Sequence, residues 1–106
     1  TSDRRLKKNI VDNNVGLEKI NQIQVRNFEY RTRDEIDELP KDSVIPSEGV
    51  QLGVIAQEVQ GFLPQIIKEE STGCLTVDGG DIKWLLVNAV KELSAKVEEL
   101  EKKLNG

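Results

Sequence analysis

From Leu86 onward, apolar residues recur at spacings of four, three, four, three and four: Leu86, Val90, Leu93, Val97, Leu100 and Leu104. A mean period of 3.5 matches no strand and draws one narrow stripe along a helix, with Val90, Val97 and Leu104 at heptad position a and Leu86, Leu93 and Leu100 at d. No Pro or Gly interrupts the run from Asp81 to Leu104, so the spacing predicts a single helix over 81–104 that offers a seam to copies of itself. Lys96 at g and the following Glu101 at e supply an interchain ion pair. With fewer than four heptads, an amphipathic helix folded back onto its own domain is the competing reading. Trp84, Leu85 and Val87 widen the apolar face at the start of the helix and are expected to pack on the rest of the chain.

The helix leaves about 80 residues to build a core, in a chain of 106 with four aromatics, no Met and no His. A core that thin predicts dependence on partners. The chain divides into a globular part over 1–80 and the helical segment over 81–106. Formal net charge is −4, yet Thr1 to Lys8 carries four basic residues against one acidic, leaving 11 basic against 18 acidic, or −7, in the remainder. An acidic body of this kind has no general attraction to nucleic acid or to an anionic membrane, and neither is expected as a partner. Cys74 is the only cysteine, which excludes an intrachain disulfide and a cysteine-based metal site; a buried, apolar role is expected for it. No metal or other cofactor is expected, no glycine precedes a Lys-Ser or Lys-Thr at phosphate-loop spacing, and no stretch has the length of a membrane span.

The globular part reads as α+β. An irregular or partly extended segment is expected over Ser2 to Val11, then a short helix from about Asn14 to Gln22, with Val15, Leu17, Ile20 and Ile23 on its apolar side and Asn13 or Asn14 as cap. Val25 to Arg31 alternates, with Phe28 and Tyr30 on one face, and predicts a strand; Val50 to Ala56 predicts a second. Between them, Thr32 to Gly49 holds Pro40, Pro46 and much of the charge, which predicts a surface excursion with one helical turn at Asp34 to Leu39. Gln57 to Phe62 predicts a short helix stopped by Pro64, and Gln65 to Glu69 with Cys74 to Val77 a hairpin closed around Ser71-Thr72-Gly73.

The basic amino-terminal run brings a hydroxyl, Ser2, within five residues of an amine, Lys7. Five residues turn about 140° on a helix, and an odd separation on a strand puts the two on opposite faces, so the pair meets only across an irregular turn. Peptide cleavage by a hydroxyl needs a nucleophile, a base and donors for the developing oxyanion. A Ser-His-Asp arrangement is excluded by the absence of His. An amine serves as base when burial or neighbouring positive charge makes it neutral, and Arg4, Arg5 and Lys8 carry such charge. By spacing alone the pair also fits a solvated chain end.

The run Ser2-Asp3-Arg4-Arg5-Leu6-Lys7-Lys8-Asn9-Ile10, then Gly53-Val54-Ile55-Ala56-Gln57-Glu58-Val59, Phe62-Leu63-Pro64, Leu75-Thr76-Val77-Asp78 and Leu85 to Leu93 ahead of a coiled coil, resembles in order and rough spacing the self-cleaving carboxyl-terminal chaperone domain of endosialidase-type phage tailspikes and tail fibres. The resemblance covers nearly the whole chain. One departure is Gly79-Gly80, where such domains carry an aromatic. It implies that Ser2 is the nucleophile and Lys7 the general base of a single-turnover cut in cis between Thr1 and Ser2, with Thr1 a cut end. Asp3, Arg4, Arg5 and Glu58 are the candidates to support the dyad, Glu58 by facing Arg4 or Arg5. It further implies a parallel homotrimer that aligns and helps fold an upstream fibre chain of the same precursor in the cytoplasm of an infected bacterium, then leaves the virion. Val at a with Leu at d by itself favours two strands, but fewer than three heptads express that preference weakly, and a trimeric fibre overrides it. The excursion over 32–49 is placed to grip the emerging fibre. Two other readings stay open: a trimerisation or adaptor domain without proteolysis, and a relative of the domain that releases a membrane-tethered transcription factor in myelin regulatory factors.

Overall fold

A computed structural model describes residues 1–106. Its architecture is α+β: two separate two-stranded antiparallel sheets and two short helices, from which one long helix extends. Helix α1 spans Leu17–Ile20, strand β1 Arg26–Phe28, β2 Gln51–Gly53, α2 Ala56–Gln60, β3 Ile67–Glu69, β4 Leu75–Val77 and α3 Ile82–Asn105, with single 3₁₀ turns between several of them.

Strands β1 and β2 pair with Arg26 opposite Gly53, Asn27 opposite Leu52 and Phe28 opposite Gln51. The alternation places Phe28 and Tyr30 on one face, where their rings meet edge to face at 5.1 Å between centroids. Both strands are shorter than the expected Val25 to Arg31 and Val50 to Ala56, because only three residue pairs have a partner before the chain turns away and Ala56 opens α2. Strands β3 and β4 form the expected hairpin, closed by bonds from Glu70 N to Cys74 O and from Gly73 N to Glu70 O, both 2.9 Å. Gly73 takes φ +90° there, a region that costs a side chain and not a glycine. Cys74 is half-buried rather than buried, since it sits at the mouth of a two-stranded hairpin beside its turn.

The core is small: Val59 of α2, Leu63 and Ile66 are buried, ringed by Ile23, Val54, Phe62, Ile67, Val77, Ile82 and Leu85. Only six of the 106 residues are buried, and the chain measures 63 × 41 × 22 Å. The excursion over 32–49 differs from expectation in its turns. In place of a turn at Asp34 to Leu39 it makes two 3₁₀ turns, Arg33–Glu35 and Lys41–Ser43, because Leu39 precedes Pro40 and must stay extended. Glu35 closes the first by accepting from Thr32 N at 2.9 Å and Thr32 Oγ1 at 3.0 Å. Ile36 is buried, and the pairs Arg31–Glu38, Arg33–Asp42 and Lys41–Asp37 tie the loop to itself.

Candidate functional site

Helix α3 carries apolar residues on two faces. Ile82, Leu85 and Ala89, at spacings of three and four, turn toward the chain's own core, and Ala89 is only 3% exposed. The heptad stripe lies on another face and touches none of that core. Leu86 is 46% exposed, Val90 63%, Leu93 48%, Val97 51%, Leu100 58% and Leu104 86%. The helix therefore does not fold its seam back on its own domain; the residues it lends to the domain are different ones. Trp84 and Val87 do not join the core as expected. Trp84 is exposed with the Lys83 ammonium 5.3 Å from its ring centre, because one residue of helix turns a side chain about 100° away from the line through Leu85. At Gly79-Gly80, where the aromatic of similar domains is missing, Asp78 Oδ1 accepts from Gly80 N at 3.3 Å and caps a 3₁₀ turn that leads into α3.

The amino-terminal arm is exposed from Thr1 through Val15. Asp3 caps a 3₁₀ turn over Arg4–Leu6 by accepting from Arg5 N at 2.8 Å, and Arg5 Nη2 returns to Asp3 Oδ2 at 2.8 Å. Hydrogen bonds to the Arg5 side chain hold the Asp3 carboxyl below its ordinary range. Ser2 precedes this turn, and Lys7 ends it, its N–H donating to Arg4 O at 3.1 Å. The side chains of Ser2 and Lys7 make no hydrogen bond to each other within the single chain. Arg4 has no acidic partner. Asn9 follows with φ +53°, a left-handed conformation that Asn tolerates and that bends the arm.

Glu58 on α2 faces neither Arg4 nor Arg5. Its carboxylate is held by Arg26 of β1, with Oε1 accepting from Nε at 3.1 Å and Oε2 from Nη2 at 2.8 Å, and these bonds lower its pKa. The fork ties α2 to the first sheet while the arm lies elsewhere.

What holds the arm to the body was not readable beforehand. Asn88 of α3 donates from Nδ2 to Asn13 O at 3.0 Å, Asn13 Oδ1 at 3.3 Å and Val15 O at 2.8 Å. Gly16 then crosses α3 so closely that a Cβ there would stand 2.6 Å from Ala89 N and from Asn88 Cβ. Glu92 Oε1 accepts from Leu17 N at 3.3 Å, so the start of α1 is satisfied by α3 and not by Asn13 or Asn14. Asn13 instead accepts from Val15 N within the arm. No local signal marks a cap supplied from 75 residues away.

Residues 2–68 match the model of a peptidase family described as "Chaperone of endosialidase", and the chain belongs to that family. It is also similar to long tail fiber protein Gp37 of Enterobacteria phage K3, 36% identical over 110 residues covering 97% of this chain, and to its counterpart in phage T2 at the same identity and coverage. The Gp37 of Enterobacteria phage M1 is 30% identical over 104 residues, or 94% of this chain. The chain spans 38% of the phage M1 protein and 7–8% of the T2 and K3 proteins. The family match ends at Lys68, whereas the similarity to the fibre proteins extends over most of α3. No helix is long and apolar enough to cross a membrane.

Proposed function

We propose that this domain is an assembly chaperone of a phage long tail fibre: three copies join through α3, hold three upstream chains in register, and then detach by autoproteolysis before Ser2. The observation that carries the reading is the uncovered seam of α3, six apolar residues aligned on a helix whose other face already serves the core. Family membership and the tail fibre relatives supply the context. Long chains that interlock lose much entropy before any non-local contact forms, and a compact trimer at one end reduces that cost by tethering them. Cutting afterwards removes the registering element, so the mature fibre is hard to unfold. Assembly takes place in the cytoplasm of the infected bacterium, and the released domain is absent from the virion.

In the cut, Ser2 Oγ attacks the carbonyl carbon of Thr1 while Lys7 Nζ takes the hydroxyl proton. The C–N bond breaks, the proton passes to the departing amine, and an ester joins Thr1 to Ser2 Oγ. Water hydrolyses that ester, leaving a carboxylate on Thr1 and a free amine on Ser2. Lys7 lies exposed in the single chain. A neighbouring chain laid over the arm excludes water from the reacting groups, which delays cutting until copies have assembled.

The test is a longer chain carrying native fibre residues ahead of Thr1. Mass spectrometry is expected to find a fragment starting at Ser2 from trimers of this chain, and no such fragment from Ser2→Ala or Lys7→Ala trimers. Trimers that stay whole with both side chains present would leave the non-proteolytic adaptor as the correct reading.

A further inference from the structure

The geometry points to Asn88 as a positioning residue for the cut: it pins the arm that bears Ser2 and Lys7 to α3. This rests on the autoproteolytic reading above and names what holds its reacting segment to the body.

Hydrogen bonds made by residues 1–12 reach no further than Lys7, and the first buried residue is Gly16. Asn88 is therefore where the arm is first held by the body, and its amide gives the two N–H donors that two backbone carbonyls, Asn13 O and Val15 O, require. The anchored Asn13 is six positions on from Lys7, a reach of about 20 Å when extended. An unanchored arm of that reach samples a wide volume; an anchored one is confined beside the helix.

The anchor's place on α3 matters as much as its strength. Counting from Val90 at a, Ala89 is at g and Asn88 at f, and Leu86 and Leu93 at d stand within a turn and a half. In a parallel coiled coil, g positions face the e positions of the next chain. Position f lies opposite the a/d seam, so the arm is fastened on the side of α3 that an assembled neighbour leaves free, and association does not displace it.

The experiment uses mixed trimers of two mass-distinguishable precursor chains, one wild type and one Asn88→Ala, with uptake of the variant chain into trimers measured by native mass spectrometry. Within the same trimers, wild-type chains are expected to be cut at their normal rate and Asn88→Ala chains about 10- to 100-fold more slowly, the scale on which misplaced reacting groups lose rate. A general loss of trimer integrity would slow both chains alike and overturn the assignment, as would Asn88→Ala chains cut at the wild-type rate. If all-wild-type trimers remain uncut, the autoproteolytic reading itself fails and the positioning role with it.

Discussion

At the scale of single residues, what matters most is how close the chain passes to itself. Gly16 is the tightest point, and because its missing Cβ would meet backbone as well as a side chain, nothing flexible can yield. Gly16→Val is expected to destabilise the domain by about 1–3 kcal/mol, the usual cost of overpacking, read as a lower urea midpoint. Charged residues act differently, because every ion pair lies at the surface. Asp3, Glu35, Glu38, Glu58 and Asp78 have pKa values lowered in the fold: Asp3 by Arg5, Glu35 by the Thr32 N–H, Glu38 by the Asp37 N–H, Glu58 by Arg26 and Asp78 by Lys68. Lowered carboxyl values stabilise above the unfolded pKa of about 4, and that contribution disappears as pH falls through the folded values. The melting temperature is expected to be level from pH 7 to about 5 and to drop below about 4; a rise on acidification would contradict these pairings.

At the scale of elements, α3 decides the outcome because it divides its surface between two tasks. Ile82, Leu85 and Ala89 serve the core, while Leu86, Val90 and Leu93 remain uncovered beside them. Leu93→Asp is expected to abolish association, since three carboxylates at one layer of an apolar seam lose hydration without a partner. Light scattering should then give the mass of a single chain, with the Leu17–Glu92 contact between α1 and α3 still formed by circular dichroism and amide exchange. The heptad spacing was legible in the sequence because it is a local period; that the stripe stays off the chain's own core was decided only by the packing. The excursion was legible only as irregular: Pro40 and the charges announced a loop, but the burial of Ile36 and the split into two 3₁₀ turns follow from how the loop closes on itself.

At the scale of the whole molecule, the single chain exposes far more surface than its size warrants. Its accessible area is 8840 Å², against about 5,900 Å² for a compact monomer of this mass. Its radius of gyration is 19.2 Å, where about 13 Å is usual for a domain of this length. An excess of about 2,900 Å² is the scale that permanent oligomers bury. Melting temperature is therefore expected to rise with protein concentration, as mass action requires of a folded assembly in equilibrium with its chains, and light scattering should give three times the chain mass. A concentration-independent melt with a monomer mass would overturn the assembly reading.

The sequence by itself determined the long helix and its heptad spacing, the hairpin at Gly73 and the α+β class, because each rests on local period, turn geometry or side-chain type. Only the tertiary structure decided that Glu58 answers to Arg26, that Trp84 stays outside the core, and that Asn88, Gly16 and Glu92 fasten the arm to α3. Those contacts join residues 32 to 75 positions apart, and no periodicity carries information about which distant backbone a polar side chain will meet.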